Sequence, residues 1–105
     1  MGLEIYWLEF AESKLNDIYD YYSEKANKKV AKKLILGIVN STIKISNHPD
    51  VGPLEKSLSH RVEKFRFVVF KNYKIIYRTN EDLKRIEIFN VFDTRQDPLK
   101  LKQEV

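Results

Sequence analysis

The spacing of apolar residues changes its period along this chain, and that change constrains the fold more than any other feature. After a short extended start, apolar residues recur at three- and four-residue intervals, the repeat of a helix with one buried face. From Val62 onward they alternate every second residue, the repeat of a strand. Pro49, Gly52, Pro53 and several serines stand at the changeover. Helices segregated from strands in this way read as an α+β fold, with the helices covering one face of a sheet.

The elements follow from local pattern. Residues 3–8, Leu3-Glu4-Ile5-Tyr6-Trp7-Leu8, predict a first strand. Residues 10–26 predict a helix, because Ala11, Leu15, Ile18 and Tyr22 fall on one face. A second helix is predicted over 28–46, with Ala31, Leu34, Ile35, Ile38, Val39 and Ile45 on a wide apolar face. It stops near His48 because Pro49 disfavours the helical region for the residue before it. The short break at Ala26-Asn27 makes the pair an antiparallel hairpin. Lys28, Lys29, Lys32 and Lys33 crowd the start of the second helix, where positive charge opposes the macrodipole. Local helix stability therefore gives no reason for them.

Residues 49–60 read as a loop. Three strands follow, Val62–Phe70, Tyr73–Thr79 and Arg85–Phe92, joined by turns at Lys71-Asn72 and 80–84. Asn72 is expected to take the positive φ of the first turn. The predicted order is β-α-α-β-β-β, a helical hairpin on a small antiparallel sheet, in one domain spanning 1–105. Alternation places Arg66 and Val68 on one face of the sheet and Phe65, Phe67 and Val69 on the other. It likewise separates Lys74, Ile76 and Arg78 from Tyr73, Ile75 and Tyr77. Tyr77 and Phe67 are expected to point toward the helices.

Composition removes whole classes of function. With no cysteine there is neither a disulfide scaffold nor a thiolate metal site. No phosphate-binding glycine loop, nucleophile elbow or zinc-protease motif occurs. His48 and His60 have no companion ligands in sequence, so no metal or cofactor is expected. Met1 to Phe10 include Glu4 and Glu9 and carry no basic cluster or long apolar run, so they read as neither a signal peptide nor a membrane span, and the lack of cysteine suits a reducing cytoplasm. Residues 1–60 hold eight basic and eight acidic residues, whereas residues 61–105 hold eleven and seven, the source of the +4 net charge. A basic second half points to an acidic partner for it. Lys74, Arg78 and Arg95 are candidates to cradle a phosphate or carboxylate. Contacts of Arg95 with Asp93 or Asp97 are the alternative.

Two segments carry a resemblance. Phe67-Val68-Val69-Phe70-Lys71-Asn72-Tyr73-Lys74-Ile75-Ile76-Tyr77-Arg78 and Ile86-Glu87-Ile88-Phe89-Asn90-Val91-Phe92-Asp93-Thr94-Arg95-Gln96-Asp97-Pro98 resemble the C-terminal half of ParE/RelE superfamily toxins. Ala11, Leu15, Asp17-Ile18, Tyr21-Tyr22 and His48-Pro49 with Gly52 resemble the N-terminal half. The resemblance implies a growth-inhibiting toxin, of the kind that stabilises plasmids, neutralised by a cognate antitoxin. ParE-like members poison DNA gyrase. RelE-like members cut mRNA on the ribosome with basic residues and often a C-terminal Tyr.

Aligned by resemblance, Arg95 and Lys74 match basic residues of the nucleases, and Lys64 with Arg66 stands for their paired lysines. Arg78 completes the candidate set, which would be catalytic in a nuclease. Arg66, Lys74, Arg78 and Arg95 are also the candidates for binding a partner. Leu101 falls where the C-terminal Tyr is expected, and Asp93 where a His is expected. The long hairpin and the His48-Pro49-x-x-Gly52 spacing are closer to ParE. The implied function is a ParE-like gyrase poison, with a ribosome-dependent mRNA endonuclease as the alternative. The antitoxin is expected to cover the hairpin and sheet edges, setting acidic groups against the basic residues of the sheet.

Overall fold

A computed structural model describes residues 2–96 and 98–104. Along the chain come β1 (Glu4–Trp7), α1 (Glu9–Lys25), α2 (Lys28–Ser41), α3 (Ile43–Asn47), β2 (Arg66–Phe70), β3 (Tyr73–Asn80), β4 (Arg85–Asp93) and α4 (Pro98–Glu104), with a 3-10 turn at Lys56–Leu58. The expected α+β order is present, with differences in detail: α4 has no counterpart in the predicted order, and β2 begins at Arg66 rather than at Val62. Where one helix was predicted over 28–46, α2 ends at Ser41. There the Ser41 and Thr42 hydroxyls donate to the carbonyls of Ile38 (2.6 Å) and Val39 (2.7 Å). Such back-bonding competes with the helical ladder.

The strands lie in the order β1-β4-β3-β2. β2, β3 and β4 form the predicted antiparallel meander. β1, however, pairs parallel to β4, so the sheet is mixed. A parallel partner needs a long crossover, and three helices and two strands supply it here. In the first hairpin the positive φ falls on Lys71 (54°) rather than on Asn72. The Asn72 side chain instead donates to Asp93 Oδ1 at 3.0 Å.

α1 and α2 cover one face of the sheet. Ala11, Ile38, Val68, Ile75, Tyr77 and Ile88 are among the side chains buried between them. The opposite face has a core of its own, built from Leu58, Phe65, Ile76, Phe92 and Leu101. The 3-10 turn and α4 close over it. Phe67 packs with this second core rather than toward the helices, a further difference from the expectation. Its partner across β2–β3 is Ile76, which faces the same way. A bulge at Phe89 shifts the alternation of β4. Ile86, Ile88 and Val91 therefore join the helix-side core, while Phe89 and Phe92 join the other.

Candidate functional site

The sequence places Lys74 and Arg78 on one face of β3, and the structure agrees. The face is half covered, and each cation has its own carboxylate. Lys74 Nζ lies 2.7 Å from Glu55 Oε1 and 4.3 Å from the centre of the Phe67 ring. Glu55 is buried in the loop before the 3-10 turn, and its carboxylate also accepts from the Ser57 backbone and hydroxyl. Burial pushes the Glu55 pKa up, but hydrogen bonds from Lys74 and Ser57 outweigh it and hold the carboxyl below its ordinary range. Arg78 is bound to Glu87 at 3.1 Å, and Arg85 reaches the other oxygen of Glu87 at 2.8 Å. Asn80 adds a donor at 3.1 Å. For Glu87 too, burial raises the pKa and the donors Arg85, Asn80 and Arg78 more than offset it.

These cations do not converge. Lys74 and Arg78 are four residues apart on β3, about 13 Å at the rise of a strand. Arg66 lies on the helix side, where it donates to the Gly52 carbonyl at 2.8 Å and faces Asp50 at 3.5 Å. Lys64 is exposed ahead of β2.

Arg95 sits elsewhere again. It grips Asp93 through the Nε–Nη2 edge of its guanidinium, the shortest contact being 2.7 Å, and Asp93 Oδ1 also accepts the Arg95 backbone N–H. The Arg95 hydrogen bond, helped by Asn72 and opposed by burial, lowers the Asp93 pKa to about 2. The Arg95 side chain is 64% exposed and lines a cleft of about 370 Å³ with Lys14, Asp17, Tyr21, Tyr22 and Tyr73. Tyr22 stands beside both Arg95 and Tyr73 in this cleft. Burial, then the contact with Tyr22, pushes the Tyr73 phenol well above its ordinary range. Asp97, the other expected contact of Arg95, lies outside the described residues. Leu101 is buried in the second core and brings no polar group to this region.

The loop of His48, Pro49 and Gly52 is a clamp. The Tyr77 hydroxyl donates to the Pro49 carbonyl at 2.8 Å and accepts the Gly52 N–H at 3.0 Å. A Cβ on Gly52 would stand 2.2 Å from the Phe67 carbonyl oxygen, so only glycine fits. His48 and His60 are both exposed. No group of three or more His, Cys, Asp or Glu able to hold a metal occurs among the described residues, and no helix there is long and apolar enough to cross a membrane.

Sequence reasoning missed Glu55 and Glu87, the residues that decide what the sheet cations can do. Glu87 had a signal, a lone carboxylate between Ile86 and Ile88. Glu55 had none, since only the folded loop brings it to Lys74. A wider groove was also missed. It measures about 820 Å³ and runs between α2 and the β2–β3 turn, past Lys29, Val30, Lys33, Leu36, Phe70 and Lys71. Gly37 forms its wall, with the Phe70 ring where a side chain would be.

Comparison with known proteins is consistent with this architecture. Residues 5–98 match the family model described as ParE toxin of type II toxin-antitoxin system, parDE. A search of curated proteins found no match. Among solved structures, a chain from "Chromosomal ParDE TA system from P. aeruginosa" is similar, with a TM-score of 0.72 over 88% of this chain and 96% of that one. Identity is 19%, so the likeness concerns the fold.

Proposed function

The chain belongs to the ParE toxin family of type II toxin–antitoxin systems, and from that premise we propose that it arrests growth by binding DNA gyrase and is silenced by a cognate antitoxin. The observation that carries this reading is the state of the basic residues. RNA cleavage needs a group to activate the 2′-hydroxyl, charge to stabilise the phosphorane and an acid for the leaving oxygen. Lys74 is held by Glu55, Arg78 by Glu87 and Arg95 by Asp93. A guanidinium already engaged by a carboxylate has little charge left for a phosphorane.

The acid and base that the resemblance to nucleases expects are also missing from their positions. At the two positions where the resemblance to nucleases expects a His and a Tyr stand Asp93, which builds a turn, and Leu101, which fills a core. A protein that acts by binding needs only a surface. The roles of Arg66, Lys74, Arg78 and Arg95 are then to shape that surface rather than to transfer protons.

Two assays run side by side test this. The purified protein should block supercoiling by gyrase or leave cleaved gyrase–DNA complexes, and it should leave mRNA on programmed ribosomes intact. Codon-positioned cleavage by wild type that disappears in Arg95→Ala would overturn the reading in favour of a ribosome-dependent endonuclease.

A further inference from the structure

We propose that the groove between α2 and the β2–β3 turn receives an acidic amphipathic peptide segment. Its apolar side would rest on Val30 and Leu36, and its carboxylates would meet Lys29, Lys33 and Lys71. The inference rests on the reading of the chain as a toxin with a protein partner, and it moves that partner's acidic groups from the sheet to α2.

The first support is where charge goes uncompensated. On the sheet, Lys74, Arg78, Arg85 and Arg66 each have a carboxylate within salt-bridge range. α2 has four lysines and no acidic residue, and among the described residues no salt bridge reaches Lys29, Lys32 or Lys33. Lys71, on the opposite rim, lies over the Phe70 ring and has no salt bridge among the described residues.

The second support is that the helix would be better off without these lysines. Its N-terminus is capped by Asn27, whose side chain accepts the Val30 N–H at 2.9 Å, and its first turn carries no acid. The amide dipoles there favour negative charge, so Lys28 and Lys29, in the first turn, oppose the element they stand on.

The third support is the apolar surface between the charges. Val30 is 46% exposed and Leu36 51% exposed, both lining the groove. A nucleic-acid backbone would use the lysines and leave these side chains wet. Nor could bases stack on Phe70, whose ring is packed against Gly37. An amphipathic segment satisfies both surfaces, with apolar anchors at helical spacing and carboxylates on the flanks. α2 has 14 residues, a span of about 21 Å that matches about four turns of a docked helix.

The test uses the full-length chain and three fluorescent probes. Two are helical peptides with the same apolar pattern, one flanked by Glu and one by Lys, and the third is a short DNA duplex. The Glu peptide should bind, more weakly as salt rises, and the Lys peptide should not. Lys29→Glu with Lys33→Glu should weaken binding by about tenfold or more. The same variant should melt no lower than wild type, because Lys29→Glu puts an acid in the first turn. Leu36→Asp should weaken binding as well. Binding of the Glu peptide that survives charge reversal, or duplex binding that charge reversal abolishes while the Glu peptide stays silent, overturns the proposal. Growth is scored in parallel on expression of the chain. Arrest without peptide binding sinks the groove alone, and peptide binding without arrest sinks the toxin reading alone.

Discussion

Replacing Tyr77 with Phe removes one oxygen and should cost more than any exposed ion pair of this molecule. The ring is fully buried and its hydroxyl makes two hydrogen bonds, donating to Pro49 and accepting from Gly52. Phe keeps the packing, so the cavity term is close to zero. The hydroxyl bonds are lost, and the Gly52 N–H has no room to rotate toward water, since the Phe67 carbonyl is pressed against Gly52. Leaving a buried donor unpaired costs about 1–3 kcal/mol, and we take about 2 kcal/mol. A chain of 105 residues has an unfolding entropy of about 0.22 kcal/mol/K, which turns that into a fall in Tm of roughly 9 °C. Thermal melts monitored by circular dichroism measure it. Hydrogen exchange should also speed up at Val51 and Gly52 well before the strands open. A Tm within about 2 °C of wild type, with unchanged exchange in the loop, would refute the idea that Tyr77 clamps it.

Two further outcomes concern acid and the C-terminus. The Asp93 carboxyl is lowered from 3.8 to about 2 in the folded state, chiefly by Arg95. Its contribution is therefore complete above about pH 4 and disappears as pH falls through 2. Arg95→Ala should be slightly less stable than wild type at neutral pH, and the two urea curves should merge near pH 2; a gap that persists there would contradict the assignment. Leu101→Ala should cost about 2 kcal/mol, the low end for a buried leucine, because α4 can undock locally instead of leaving a cavity. Exchange at α4 amides and binding of a hydrophobic dye at the exposed Ile76 and Phe92 should both rise, and silence in both would mean that α4 is held by something other than Leu101.

The parts of the fold that could be read from sequence are those set by local pattern. The alternation of Tyr73, Ile75 and Tyr77 with Lys74, Ile76 and Arg78 assigned both faces of β3 correctly, because polar and apolar residues differ sharply there. Phe67 was placed wrongly because β2 is apolar on both faces, so period two gives two faces without saying which one meets the helices. The answer depended on α4 and Leu101, some thirty residues on, which supply the second core. The split at Ser41-Thr42 was legible in principle, since adjacent hydroxyl residues late in a helix can bond back to it. For the candidate site, residue type was legible and charge state was not. Lys74, Arg78 and Arg95 are basic in any reading, but their pairing with Glu55, Glu87 and Asp93 follows from register and loop placement.

Net charge summed by halves is a coarse guide for the same physical reason. The second half holds the surplus of basic residues, yet its arginines and Lys74 each sit within salt-bridge range of a carboxylate, Arg78 and Arg85 sharing Glu87, so much of their field is cancelled locally. The first half sums to zero by placing opposite signs on different helices. α1 carries Glu9, Glu12, Asp17, Asp20 and Glu24 against Lys14 and Lys25, whereas α2 carries four lysines and no acid. What an approaching partner meets is the local excess, not the sum. The salt dependence of any association by this chain should therefore follow Lys29, Lys32 and Lys33, and neutralising Arg78 should leave it nearly unchanged, although a count of charges by halves assigns the opposite roles.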